Sequence, residues 1–200
     1  MNRYFPRPSF LRGGFSSRLK QGGYSLYDLI ITSTVASVLG VGAVSMASLL
    51  QETRMTTAVN LLIGDLNLAR SEAIKRHAVV TQCKSSNGAS CSQKSAWQDG
   101  WIIFTDDNKN YEVDAGEVII RVQQSLGGNT RLRYGGEKAS YTHVAYYPPG
   151  YARPNATFTF CDQRGSEKAK TVIINSVGRP YSYAKTWDEK SIDCPKDATP

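Results

Sequence analysis

Residues 22–50 constrain this chain more than any other stretch. Gly22-Gly23 closes a basic leader, Tyr24 follows, and a carboxylate stands four positions further on at Asp28. Leu29 to Leu50 then run for 22 residues without a charge. As a helix at about 1.5 Å per residue they measure roughly 33 Å, enough to cross the hydrocarbon core of a bilayer. An acid at the head of such a segment is costly, which marks Asp28 as a functional residue. The leader carries Arg3, Arg7, Arg12, Arg18 and Lys20 and no acid. Positive charge stays on the cytoplasmic side, so residues 51–200 are expected outside. An ordinary secretory signal, cut near Ala47, would have a shorter apolar stretch of roughly 7–15 residues. An uncleaved anchor is the other alternative.

The same leader changes the meaning of the overall charge. A formal net charge of +7 suggests a nucleic-acid partner, but five of the 24 Lys and Arg lie in residues 1–23. What remains is 24 − 5 = 19 cations against 17 acids, a net of +2. Local asymmetry says more. Residues 97–120 hold one Lys and six acids, whereas residues 121–185 hold ten Lys and Arg and three acids. Such polarity places a basic face on a nearly neutral domain.

From Gln51 to about His77 the pattern is amphipathic. Met55, Val59, Leu62, Ile63, Leu66, Ala69, Ala73 and Ile74 recur at helical spacing. Arg54, Asn60, Asp65, Asn67, Arg70 and Lys75 are expected on the opposite face. No proline interrupts residues 11–147, so one helix of about 50 residues is expected, with Gly40, Gly42 and Gly64 as its weak points. Beyond His77 the chain turns to short β-rich runs. Strands are expected near 78–83, 101–105, 118–123, 130–134, 142–147, 157–161 and 171–175, separated by Gly, Asn, Ser and Pro clusters as in antiparallel sheet. Gly178-Arg179-Pro180 reads as a turn after the last of these.

All four cysteines lie in the outer part, where an oxidising compartment favours two disulfides. Three pairings are open, and Cys83–Cys91 with Cys161–Cys194 is the one expected. The spacings do not suit paired zinc ligands, and both histidines lie elsewhere. Asp106, Asn108, Asn110, Asp114 and Glu117 match positions 1, 3, 5, 9 and 12 of a calcium loop, but Tyr111 stands where glycine is needed. The alternative is a polar hairpin loop. No nucleophile–base–acid set and no phosphate loop is legible, so neither an enzyme nor a cofactor is expected.

The Gly23-Tyr24-x-x-x-Asp28 arrangement resembles the class III signal of type IV prepilins. That resemblance implies cleavage after Gly23 by the prepilin peptidase and methylation of the new terminus at Tyr24. It also implies that Asp28 neutralises the terminal amine of a neighbouring subunit during assembly. The family usually has Phe and Glu where this chain has Tyr24 and Asp28, and its leaders are shorter.

The run Leu66-Asn67-Leu68-Ala69-Arg70-Ser71-Glu72-Ala73, then Val80-Thr81-Gln82-Cys83 and Trp97-Gln98-Asp99-Gly100-Trp101, resembles the FimT/FimU minor pilins and the H-type (GspH) pseudopilins of type II secretion. Phe158–Cys161 and Val172–Arg179 extend the likeness. It implies an α+β type IV pilin fold, a long N-terminal helix packed on antiparallel sheets. Residues 1–23 would be the cleaved leader, 24–50 the transmembrane and assembly helix, and 51–200 the periplasmic or extracellular head. The implied role is a low-copy subunit in type IV pilus assembly or priming, moving from the inner membrane into the pilus. Its implied partners are other major and minor pilins. An H-type pseudopilin is the alternative.

Some FimT members bind DNA through Gly-Arg-x-Arg, serving natural transformation as receptors at the pilus tip. Gly178-Arg179-Pro180-Tyr181 matches only the first arginine. If DNA is a partner, the site is expected around Arg179 and Lys185, with Arg164, Lys168 and Lys170 nearby.

Processing should expose Tyr24 as the mature terminus, and replacing Gly23 by a bulky residue should leave a slower-migrating precursor. A mature terminus near Ala47 by mass spectrometry would refute the prepilin resemblance.

Overall fold

The computed structural model describes residues 23, 25–135, 140–155, 157–183, 192 and 194, and over residues 38–45 the backbone alone. The leader before Gly23, Tyr24 and Lys185 lie outside the described residues. Helix α1 spans Leu26–Arg76. Its end is set by His77, which takes a left-handed φ of 52° while its N–H reaches back to the Ile74 carbonyl. The chain divides into two compact units, Met1–Met46 and Ala47–Pro200.

In the first unit Leu26, Tyr27, Leu29 and Ile30 are all exposed. The membrane expectation for residues 24–50 falls partly outside the described residues. Among the described residues, no helix is long and apolar enough to cross a membrane.

Among the described residues the second unit carries nine strands: β1 (Val80–Lys84), β2 (Gly100–Thr105), β3 (Ile119–Gln124), β4 (Arg131–Tyr134), β5 (His143–Tyr146), β6 (Ala152–Arg153), β7 (Thr157–Cys161), β8 (Lys170–Ile174) and β9 (Pro180–Tyr183). They form two sheets, β3-β2-β1-β5-β6 and β4-β7-β8-β9. Every strand pair is antiparallel. Period-2 alternation aims Leu132 and Tyr134, Phe158 and Phe160, and Val172 and Ile174 inward. They meet the buried stripe of α1, which is Met55, Ala58, Val59, Leu62, Leu66, Ala69 and Ala73. Each large side chain so buried contributes about 1.5–3 kcal/mol.

Trp97 ties the two sheets together at the centre of this core. It sits on a 3-10 turn, Trp97–Asp99, and its ring meets Tyr134 and Phe158 edge-on at 5.8 and 5.0 Å. Its indole N–H donates to the Tyr141 carbonyl at 2.9 Å. Next to it, the Gln98 side-chain carbonyl accepts the Leu132 N–H at 3.0 Å, so a polar group caps β4.

The outer face of the first sheet is also buried. Cys83, Ile102 and Phe104 pack under Cys91 and Val113 from the flanking loops. The cysteines pair Cys83–Cys91 and Cys161–Cys194. The second bond holds the tail residues Ile192 and Cys194 against Cys161 and Ala169 on the second sheet.

Two expectations fail on the helix. Asp65, expected on the polar face, is buried, and Ile74, expected in the core, is 40 % exposed. Two strands escape the sequence pattern. β6 has two residues, and β9 opens on Pro180, which an edge strand tolerates at its first position.

Gly64 and Gly178 should respond oppositely to alanine. Nothing lies within 4 Å of a Cβ placed on Gly64, so Gly64→Ala should stabilise the chain by about 0.5–1 kcal/mol. At Gly178, φ is +76° and a Cβ would sit 2.2 Å from the Gly150 carbonyl oxygen. Gly178→Ala should therefore cost roughly 2 kcal/mol or more. Thermal melts of the two variants in detergent check both signs.

Candidate functional site

The start of α1 is a capping box. Ser25 Oγ accepts the Tyr27 N–H at 3.4 Å, and Asp28 Oδ2 accepts the Ser25 N–H at 3.1 Å. Asp28 therefore satisfies one of the orphan donors of the helix terminus and places its charge in the first turn, where the dipole favours an anion. The signal was present in the sequence as Ser25-x-x-Asp28, but a local capping role was not read from it. Gly23 precedes the helix and is exposed.

The basic set divides by location. Arg164 Nη1 meets Glu52 Oε2 at 2.9 Å, and its Nη2 meets Asp162 Oδ2 at 2.6 Å. Lys170 Nζ meets Glu52 Oε1 at 2.5 Å and Thr56 Oγ1 at 2.8 Å. These two cations, first Lys170 and then Arg164, hold the Glu52 carboxyl below its usual range. Arg164 and Lys170 thus clamp the loop between β7 and β8 to α1 instead of facing outward as a pair. Lys168 is exposed on the 3-10 turn Ser166–Lys168. Arg179 is exposed on the β8–β9 turn, with its N–H bound to Asn175 Oδ1.

The neighbouring β5–β6 turn is held by an arginine of α1. Arg70 Nε donates to the Gly150 carbonyl at 2.8 Å. Gly178 packs onto the same turn, with its Cβ position 2.9 Å from Tyr151 Cα. Around it, Tyr147 and Tyr151 stack at 4.9 Å and Arg153 lies 5.9 Å from the Tyr151 ring centre. Sequence spacing could not reveal this meeting of residues 70, 150 and 178.

The five calcium-loop residues come together, and their carboxylates are turned on the loop itself. Buried Asp106 accepts from Thr81 Oγ1 at 2.7 Å and from the N–H groups of Asn110 and Tyr111. Asp114 accepts from the Asn108 and Asn110 side chains, and Glu117 from the N–H groups of Asp107 and Asp114. Tyr111 takes the left-handed φ of 66° that glycine usually supplies, and its ring stacks on His143 at 3.9 Å. Burial holds the His143 imidazole below its ordinary range. Among the described residues, no group of three or more His, Cys, Asp or Glu is placed to hold a metal ion.

Asp65 is the buried acid that the helical pattern hid. Its Oδ2 accepts the Trp101 indole N–H at 2.8 Å, and Arg121 Nε lies 3.4 Å from Oδ1. Burial pushes its carboxyl up from the ordinary value of 3.8, against the opposing pull of Trp101 and Arg121.

A long helix with two antiparallel sheets on its apolar stripe is the α+β arrangement of the type IV pilin fold. Residues 58–178 match the family described as type II transport protein GspH, and the chain belongs to that family. The pilin-like protein PilA1 of Thermus thermophilus is 28% identical over 161 residues, covering 78% of this chain and 95% of that protein. The crystal structure of the Pseudomonas aeruginosa type IV minor pilin FimU superposes with a TM-score of 0.50 at 18% identity, over 66% of this chain and 89% of that one, and shares the fold. The minor pseudopilin EpsH of Vibrio cholerae gives 0.47 at 12% identity, over 66% of this chain and 97% of that one.

The raised Asp65 carboxyl gives a signed pH dependence. Folding favours its protonated form, so its contribution is fully present below pH 3.8 and is lost as pH rises through the raised folded value. Asp65→Asn keeps an oxygen for the Trp101 N–H and does not titrate. The variant should gain stability relative to the parent as pH rises from about 4 towards 7. A relative loss over that range in thermal melts would show that attraction to Arg121 outweighs burial.

Proposed function

We propose that this chain is a minor subunit of a type IV pilus, anchored in the inner membrane by residues 24–50 and processed after Gly23 by the prepilin peptidase. It serves as a structural subunit that assembles with other pilins, not as an enzyme. The observation that supports this most directly is α1 itself. One helix opens on a carboxylate five residues after Gly23, carries the uncharged run, and continues into the buried stripe of a GspH-family head. In the assembled state the exposed Leu26, Leu29 and Ile30 would be covered by lipid or by the same segment of neighbouring subunits. Asp28 would then face a neighbour's terminal amine.

A second reading, a minor pseudopilin of type II secretion, is favoured by the family description, type II transport protein. DNA uptake is a further role of the pilus reading. It rests on exposed Arg179 beside the Tyr151 turn, since Arg164 and Lys170 are paired with Glu52.

A deletion strain scored for surface pili, transformation and protein secretion separates these readings. Loss of pili with secretion intact is the expected result, and the reverse would make the chain a pseudopilin. Asp28→Ala should insert into the membrane normally yet enter filaments poorly. Normal incorporation in sheared-pilus fractions would remove Asp28 from the assembly mechanism.

A further inference from the structure

In the unit Ala47–Pro200 a small cleft of about 90 Å³ opens between α1 and two loops. Its walls are Gln51 and Arg54 of α1, the 128–130 turn before β4, and Asp162 and Gln163 after β7. The volume is well below the roughly 300–1,000 Å³ of a pocket for a whole drug-sized ligand, so it has room only for a small polar group such as one phosphate. The one acid in the wall is already neutralised, because Asp162 accepts from Arg164 on both carboxylate oxygens. Nearby Glu52 is likewise bound by Arg164 and Lys170.

Arg54, by contrast, makes no ion pair with any described residue. Its Nη1 lies 3.9 Å from the Cβ position of Gly128, so the guanidinium head faces the turn across the cleft. Counting Arg54, Arg164 and Lys170 against Glu52 and Asp162 gives 3 − 2 = +1. A guanidinium with no ion-pair partner among the described residues, set among the amides of Gln51, Asn129 and Gln163 and the hydroxyl of Thr130, suits an anion with several acceptor oxygens.

The place of Arg54 in the chain selects the anion. It follows Leu50, the last residue of the uncharged run, by four positions. Four helical residues rise about 6 Å. The polar headgroup layer on each side of a bilayer is about 5–8 Å deep. We infer that this cleft binds the phosphodiester of an anionic phospholipid headgroup. The inference rests on the membrane-anchored reading proposed above. Arg54 supplies the charge, and the amides and Thr130 complete the donor set. The cleft would hold the head at the membrane surface while the subunit waits in the bilayer.

The test uses the full chain in detergent, titrated with phosphatidylglycerol and followed by native mass spectrometry. The parent should retain one lipid, and Arg54→Gln should weaken retention by about tenfold, the scale of one charge-assisted hydrogen bond. Arg54→Lys keeps the charge and should restore most of it. Arg76→Gln, at an exposed cation paired with Glu72, should change nothing. Equal retention by the parent and Arg54→Gln would overturn the proposal. So would displacement of the lipid by inorganic phosphate, which would make the ligand free phosphate. Retention of a second protein chain in place of lipid, lost in Arg54→Gln, would overturn it in favour of a carboxylate partner. Flotation with phosphatidylcholine vesicles tests anchoring separately. Both variants should float, and if neither does, the anchored reading itself falls whatever the lipid counts show.

Discussion

The fold depends on one contact, the apolar stripe of α1 against the inner faces of both sheets. Met55, Leu62 and Leu66 are completely buried there, beside Trp101, Tyr134, Phe158 and Phe160. The two sheets are separate. The first runs β3-β2-β1-β5-β6 and the second β4-β7-β8-β9, and no strand pairs across them. The helix is the shared wall, and the Trp97 ring, just before β2, packs on Tyr134 and Phe158 of the second sheet. Losing a large side chain from this stripe would leave a cavity that sheets pinned at several points cannot collapse to fill.

Non-directional burial would not by itself fix where along the helix each sheet sits. Three polar contacts do so, spread along α1 from Glu52 to Arg70. Glu52 binds Arg164 and Lys170, Asp65 binds Trp101 and Arg121, and Arg70 binds the Gly150 carbonyl. The Asp65 contact is the most buried and the most costly, since a carboxylate there has lost most of its water. The Arg70 contact carries the β5–β6 turn, and with it the Gly178 turn that exposes Arg179. The position of exposed Arg179 is therefore tied to Arg70 of α1.

These contacts also sort the surface. Cations that look like one basic field in the chain separate into clamps, at Arg164 and Lys170, and exposed groups, at Lys168 and Arg179. Acids that look like a metal loop are consumed by the loop's own N–H groups. At the start of the helix one carboxylate, Asp28, caps the first turn and remains exposed.

The sequence by itself determined the parts governed by short range. The helical stripe from Met55 to Ala73 and seven of the β runs are periodic signals that reach only a few residues, so the α+β class and the element order were legible. The resemblance in the Ala69–Ala73 and Trp97–Trp101 runs pointed to the same family. Asp65 was misplaced because helical spacing assigns a face but cannot tell that an indole N–H waits there to satisfy a buried carboxylate. β6 and β9 were missed because a two-residue strand and one that starts with proline have no periodicity to detect. How Arg164 and Lys170 meet Glu52, how Gly178 meets Gly150, and how Arg54 comes to face Gly128 were decided only by the tertiary structure. Each depends on groups more than 25 residues apart, which only the closing of both sheets on one helix brings within reach.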